Sequence, residues 1–213
     1  MSAAIYTAFL VVVGAGRLIE LRISRRNQER LLERGAKRVA DPNFRWMVAL
    51  HTGILISAAL EVWMLRRPLI PLLAASMAAV FLLANAVRWW VIATLAGHWN
   101  VEVVSSTRLG VISSGPYRWV RHPNYAAVFV EMIALPLMYT AWITALVGGI
   151  AHLFVLRARL RIEDGALLAD PAYRAAMGAK PRFLPDFFVA RSEEGAVRAG
   201  PCAQKTEEPN RGS

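Results

Sequence analysis

Apolar and polar positions fall in long blocks along this chain, and five apolar blocks are candidates for membrane spans. A helix needs about 20 mostly apolar residues to cross the hydrocarbon core of a bilayer. The five blocks cover residues 3–21, 44–65, 68–96, 125–139 and 141–156. Almost nothing separates the last two, so we predict a tight helical hairpin there. The pattern predicts an all-α integral membrane protein with about five transmembrane helices.

The composition supports a membrane protein. Of the 213 residues, 56% are apolar and 19% are charged, whereas soluble domains average about 45–50% and about 25%. A soluble helical bundle is the alternative, but too little polar surface remains to cover one. The same balance excludes a disordered chain and a disulfide scaffold. The single cysteine, Cys202, allows neither a disulfide within one chain nor a cysteine-based metal site, and we predict no metal.

The formal net charge of +10 comes mostly from arginine. A basic chain can bind nucleic acid, but in so apolar a chain arginines more often flank membrane spans, on the cytosolic side. They are dense between the first two spans, in residues 97–124 and after the fifth span. We therefore predict an N-terminus outside, a C-terminus in the cytosol, membrane lipid as a partner and no nucleic acid. The excess of arginine over lysine suggests a bacterial source, and hence the inner membrane.

The chain divides into one membrane domain and a tail. Residues 190–213 are polar, contain glycine and proline and show no periodicity, so we predict a disordered tail. Residues 1–189 form the domain. Its first part, 1–96, carries three spans, and its second part, 97–189, carries the candidate chemistry.

The long connection before the fourth span is unusually rich in aromatic and histidine side chains. It reads GHWNVEVVSSTRLGVISSGPYRWVRHPNYAA and runs directly into the span. Pro123 is expected to open that helix, because proline suits a first helical turn. Free N–H groups of the loop and of the helix start are well suited to binding an anionic group.

A second concentration of polar residues extends the fifth span as RARLRIEDGALL. Arg159 and Glu163 are four residues apart and share one face of a helix. A solvated helix end with an ordinary ion pair is the simple interpretation. Leu160 and Ile162 alternate with the charges, however, and keep one face apolar.

Together with AYRAAMGAKPRFLP, these two segments resemble the isoprenylcysteine carboxyl methyltransferase family over residues 97–185. Members are integral membrane enzymes that use S-adenosylmethionine. The resemblance implies a cytosolic cofactor pocket formed by the loop before helix 4 and the C-terminal extension of helix 5. Two departures are Ala127, where the family often has glycine, and Asp164, where it often has glutamate.

The resemblance also implies roles for particular residues. Arg159 matches an arginine near the acceptor oxygen. The cofactor-binding positions match Leu109, Gly110, Val111, Ile112, Tyr117, His122, Pro123, Asn124, Tyr125 and Glu163.

We therefore predict an S-adenosylmethionine-dependent O-methyltransferase that acts on a lipidic or prenylated acceptor at the cytosolic face. A carboxylate acceptor is already ionised and needs a cation, which Arg159 supplies. A hydroxyl acceptor needs a base, for which His122 is the first candidate. A small polyketide lipid such as an alkylpyrone is an alternative acceptor. An NADPH-dependent membrane lipid reductase and a non-enzymatic lipid-binding protein are alternative functions; such reductases are much longer.

Several ionisable residues fall within the spans, where charge is costly and usually functional. Arg17 and Glu20 are expected to pair. Arg88 is expected to extend toward the interface, and Glu61 to lie near the outer interface. For Glu131 we leave open whether it lines an acceptor channel or bonds a neighbouring helix.

Overall fold

The computed structural model describes residues 2–102, 104–105 and 110–185. Leu109 and the predicted tail lie outside the described residues. The described elements are the helices α1 (Ala3–Glu33), α2 (Phe44–Met64), α3 (Pro71–Leu95), α4 (Pro123–Leu137), α5 (Trp142–Leu168) and α6 (Pro171–Met177), the strands β1 (Lys37–Arg38) and β2 (Val104–Ser105), and 3₁₀ turns at Ala96–His98 and Gly115–Arg118.

This architecture confirms the predicted all-α membrane fold. Four helices are long and apolar enough to cross a membrane: α1, α2, α3 with its following turn, and α5. The fourth predicted span is the shorter apolar helix α4, of 15 residues. Proline occupies the first turn of α3, α4 and α6. A backbone N–H at that position has no hydrogen-bond partner within the helix, so its absence in proline costs nothing.

The first helix is longer than predicted. Its apolar stretch ends near residue 21, yet α1 continues to Glu33, so most of the basic stretch expected in a loop is helical. The extension is held by polar contacts with the connection before α4. Asn27 Nδ2 donates to the carbonyl of Trp99 at 2.9 Å, and the N–H of Val101 donates to Ser24 Oγ at 2.8 Å. β1 pairs antiparallel with β2, which fastens the residues after α1 to the same connection.

Helix α4 packs between α2, α3 and α5. The buried core here combines Tyr6 of α1 with α4 residues such as Met132 and Leu135, and the Tyr6 hydroxyl donates to the carbonyl of Leu135 at 2.9 Å. The predicted α4–α5 hairpin is present, with Pro136 in the last turn of α4. The connection between α4 and α5 is held to the loop between α2 and α3, because Thr140 Oγ1 donates to the carbonyl of Pro68 at 2.7 Å.

The close approach of α2 and α5 depends on Gly148. A Cβ at this position would lie 2.8 Å from Ile54 Cγ1, closer than packed side chains tolerate. We expect Gly148→Ala to lower the free energy of unfolding by about 1–3 kcal/mol, because overpacking displaces neighbouring atoms. Gly53→Ala is the matched control: a Cβ there meets nothing within 4 Å. An unfolding titration in detergent that gave equal stabilities for the two variants would contradict this account.

Four charged residues, three buried and one partly buried, form a network that joins three helices. This charge network consists of Arg17 and Glu20 of α1, Arg88 of α3 and Glu131 of α4. Arg17 Nη1 lies 3.1 Å from Glu20, as expected, and ion pairs also join Arg17 to Glu131 and Arg88 to Glu20. Asn85 Nδ2 adds a hydrogen bond to Glu131 Oε1 at 3.1 Å.

The charge network resolves two expectations. Arg88 does not extend toward the interface: its exposure is 5% and it pairs with Glu20, so that prediction was wrong. Glu131 is fully buried and bonds neighbouring helices. Because two positive charges meet two negative ones, the cost of burying each is offset locally.

Glu61 is buried at the junction of α2 with the start of α5. Its carboxylate accepts hydrogen bonds from the N–H groups of Thr144 at 2.7 Å and Ile143 at 3.2 Å, and pairs with Arg67 at 2.7 Å. A carboxylate at free N–H groups of a helix start is favourable both as a cap and toward the helix dipole. Glu61 therefore holds the α4–α5 hairpin against α2.

Candidate active site

A cavity of about 470 Å³ lies at one end of the helix bundle. Its walls come from Gly14–Leu21 of α1, Met47–Leu55 of α2, Arg88–Leu95 of α3 and the second half of α5. Successive helices run in opposite directions, so these segments share the end that carries the two arginine-rich connections. The described residues Trp99–Glu102 and Gly110–Ile112 of the long connection close it.

The cavity collects most of the predicted site residues. Those that line it are Gly110, Val111, Ile112, Tyr117, His122, Asn124, Tyr125, Arg159 and Glu163. Pro123 is not among the lining residues; it is buried at the first turn of α4. The two segments singled out in the sequence therefore meet at one cavity.

The segment after α6 holds the loop that precedes α4. The N–H of Arg121 donates to the carbonyl of Pro181 at 2.9 Å, and that of His122 donates to the carbonyl of Arg182 at 2.8 Å. Lys180 Nζ donates to the carbonyl of Tyr117 at 2.6 Å. The third sequence segment, AYRAAMGAKPRFLP, thus acts as a support for this loop.

His122 is fixed by a carboxylate from α5. Its Nε2 lies 2.8 Å from Asp164 Oδ1, and its side chain is almost fully buried. Asp164 also accepts from Arg182 Nε at 2.8 Å and pairs with Arg121 at 3.4 Å. The shorter aspartate, a departure from the family pattern, therefore still reaches His122. The other ring nitrogen of His122, Nδ1, lies 3.9 Å from Glu163 Oε1.

Tyr125 links the two predicted functional residues of α5. Its hydroxyl donates to Glu163 Oε2 and accepts from Arg159 Nε at 2.6 Å. Arg159 and Glu163, expected on one helix face, are thus joined through a tyrosine of α4. Hydrogen bonds that involve charged groups are stronger than neutral ones, so this arrangement fixes all three side chains.

Arg159 has two further partners that the sequence did not predict. Its Nη2 donates to the carbonyl of Val101, and its Nη1 lies 3.2 Å from Asp41 Oδ2. The Asp41 side chain is 2% exposed. The sequence signal for it was weak: one acidic residue, followed by proline, in a basic connection. Asp41 therefore neutralises Arg159.

The phenols of the site are held in their neutral form. Burial, with the negative charge of Glu163, raises the pKa of the Tyr117 phenol well above its usual range. The same two causes raise the pKa of Tyr173 on α6 to about 12. At neutral pH both side chains therefore keep their protons and can serve as hydrogen-bond donors.

Two buried amide oxygens of the cavity have no hydrogen-bond partner in the described part of the chain. They are Oδ1 of Asn100 and Oδ1 of Asn124. A buried unpaired acceptor costs about 1–3 kcal/mol, so these atoms mark places where a donor of a bound molecule fits.

Gly110 has φ of 105°, a conformation that glycine adopts freely and other residues rarely do. No group of three potential metal-binding side chains occurs among the described residues.

Comparisons with known proteins identify the family of this chain. Residues 77–169 match the model of the isoprenylcysteine carboxyl methyltransferase (ICMT) family. The uncharacterized protein YpbQ of Bacillus subtilis is 30% identical over 152 residues, which cover 71% of this chain and 89% of YpbQ. An uncharacterized protein of Haemophilus influenzae is 28% identical over 154 residues, which cover 71% of this chain and 88% of that protein.

The matched region includes the motif at the start of α4 and the site residues of α5, in a chain with helices long and apolar enough to cross a membrane. The chain therefore belongs to the membrane methyltransferases. The chain is a member of the isoprenylcysteine carboxyl methyltransferase family. The predicted family is confirmed, and methyl transfer is favoured over the reductase and lipid-binding alternatives.

Proposed function

We propose that this protein is an S-adenosylmethionine-dependent O-methyltransferase that acts on a lipidic acceptor at the cytosolic face of the bacterial inner membrane. One observation carries the proposal: a single cavity contains the motif residues His122 and Tyr125, the α5 residues Arg159 and Glu163, and apolar walls from the membrane helices. The arginine-rich connections lie at the same end of the bundle, which supports a cytosolic position for it.

The side chains of the cavity suit the polar groups of S-adenosylmethionine. Its ammonium, ribose hydroxyls and adenine amine are donors, and the cavity offers the unpaired oxygens of Asn100 and Asn124 and the carboxylate of Glu163. We propose that Glu163, Asn124, Tyr117, Tyr125 and the main chain of residues 110–112 hold it. When bound, it supplies a methyl group on a positively charged sulfonium.

The rest of the cavity suits the acceptor. Leu18, Leu55, Val91 and Val128 give it apolar walls from four helices, which fit an alkyl or prenyl chain. Arg159 donates three N–H groups in hydrogen bonds, and a fourth faces Asp41 at 3.2 Å. Of its five N–H groups, one on Nη2 therefore remains to orient an acceptor oxygen. Holding reacting atoms in contact supplies about 7–11 kcal/mol, and the apolar walls keep water away from the reaction.

Glu163→Gln tests the cofactor assignment. Loss of the carboxylate removes one charge-assisted hydrogen bond, worth about 1.5–3 kcal/mol, so we expect about 10- to 100-fold weaker binding of S-adenosylmethionine. Isothermal titration calorimetry with the full chain in nanodiscs measures it. Glu33→Gln, an exposed position at the end of α1, is the matched control and should bind like wild type.

Two results would reject the proposal. One is wild-type protein that binds no S-adenosylmethionine. The other is an unchanged lipid profile: lipids from cells with and without the protein should differ by a species heavier by the mass of one methylene.

A further inference from the structure

Two histidines that line the cavity contact each other, deeper in the bundle than the residues considered so far. His51 of α2 contacts His152 of α5: their Nε2 atoms are 3.4 Å apart and their rings meet edge to face. Both residues line the cavity. One Nε2 must carry a hydrogen and the other must accept it, so the two rings share one proton between these atoms.

The His51–His152 pair lies close to the α5 site residues. His51 is one helical turn beyond Met47, whose sulfur accepts from Arg159 at 3.4 Å. His152 is two turns before Arg159 on the same helix, and its ring lies against Phe129, one turn beyond Tyr125. With a rise of 1.5 Å per residue, the pair is about 6–10 Å from Arg159 along the helices. At the shorter end of that range, one acceptor oxygen about 3 Å from each group would contact both.

His152 has a buried atom that nothing in the described chain satisfies. Its Nδ1 has no hydrogen-bond partner there, although the residue is only 3% exposed. When its Nε2–H donates to His51, Nδ1 is a bare acceptor. A buried bare nitrogen on a residue that lines the cavity favours a donor from a bound molecule.

The charges of the cavity favour an acceptor without charge. Four arginines line the cavity within the described residues, and each is in an ion pair: Arg17 and Arg88 with Glu20, Arg121 with Asp164, and Arg159 with Asp41. An ionised carboxylate would therefore meet no unpaired guanidinium, and a buried charge without a partner is costly. A neutral hydroxyl avoids that cost but needs a group to take its proton.

We propose, on the basis of the function proposed above, that the His51–His152 pair is the proton acceptor of the reaction and that Nδ1 of His152 takes the proton of a neutral acceptor hydroxyl. In this assignment the pair replaces His122 as the base. Both ring nitrogens of His122 face carboxylates, since Nε2 is 2.8 Å from Asp164 Oδ1 and Nδ1 is 3.9 Å from Glu163 Oε1, the residue assigned to the methyl donor.

The reaction balances without any further reactant. The hydroxyl oxygen forms a bond to the methyl carbon as the carbon–sulfur bond breaks, and the O–H bond gives its proton to Nδ1. The positive charge lost at sulfur is gained by the imidazole, so the charge in the cavity is conserved. The proton then leaves to water with the product.

The first test identifies the bond that is made. Full-length protein in nanodiscs is incubated with S-adenosylmethionine carrying a labelled methyl group and with lipid extract from cells that lack the protein. We expect a labelled methyl ether, which survives mild alkali. An alkali-labile methyl ester would overturn this inference and leave the proposed methyltransferase function intact. If wild-type protein makes no labelled product, both this inference and the proposed methyltransferase function are contradicted.

The second test removes the base. We expect both His152→Ala and His152→Gln to lower turnover about 100-fold, since general base catalysis contributes about 10²–10⁴-fold, with S-adenosylmethionine affinity unchanged. Added imidazole should restore part of the activity of His152→Ala, which has room for it, and none in His152→Gln. The binding measurement shows that both variants fold. Near wild-type turnover in His152→Gln would mean that a hydrogen bond suffices, and would refute a proton acceptor.

Discussion

Replacing Arg159 by lysine is expected to reduce turnover by about 10²- to 10³-fold, with a much smaller effect on S-adenosylmethionine affinity. Lysine keeps the positive charge beside Asp41 but cannot reproduce the planar set of donors that reaches both Tyr125 and Val101. Loss of one preorganised donor at a reacting oxygen typically costs this much. Single-turnover assays with labelled S-adenosylmethionine separate the chemical step from binding.

Arg157→Lys is the control for this prediction. Arg157 lies two residues earlier on α5 and is exposed, so the same change of side chain should leave turnover unaltered. If Arg159→Lys were as active as Arg157→Lys, Arg159 would have no part in orienting the acceptor.

Glu131→Gln is expected to destabilise the protein by about 3–5 kcal/mol. Removing one partner of a buried ion pair leaves an uncompensated charge, here shared between Arg17 and Arg88 at a fully buried site. The free energy of unfolding, measured by titration with SDS in mixed micelles, provides the test. Glu29→Gln, at an exposed position of α1, should change stability by less than about 0.5 kcal/mol.

A double variant separates charge balance from simple loss of packing. Arg17→Met in the Glu131→Gln background leaves Arg88 and Glu20 as a balanced pair. The double variant should therefore be less destabilised than the sum of the two single changes, by about 0.5–3 kcal/mol. Strict additivity would mean that the charge network is not coupled.

The membrane helices could be predicted because each one is a nearly continuous run of apolar residues in the sequence. The end of α1 was not, since Ser24 and Asn27 look like loop residues until Trp99 and Val101 are brought beside them. The burial of Arg88 could not be predicted for the same reason, since its partner lies on a distant segment. A lone arginine in a span reads as interfacial, and only the fold brings Glu20 from another helix to meet it.

The candidate site could be predicted where residues are close in sequence. Arg159 and Glu163 share a helix face, and the motif around His122 is continuous. Asp41 and the His51–His152 pair could not be placed, because each partner lies on a distant segment and neither forms a motif. The sequence also could not show that Tyr125 joins Arg159 to Glu163, since that contact depends on how α4 and α5 pack.

Helix α4 is shorter than the hydrocarbon layer of a bilayer. Its 15 residues span about 22 Å, whereas the hydrocarbon layer is about 30 Å thick. Because α4 packs between α2, α3 and α5 and only Val130 of this helix is exposed, the missing length lies inside the bundle, and α4 begins at Pro123, beside the cavity. If the proposed function holds, we expect an amphiphile to enter by lateral diffusion with its tail still in the hydrocarbon layer, and the soluble donor to approach from the aqueous side.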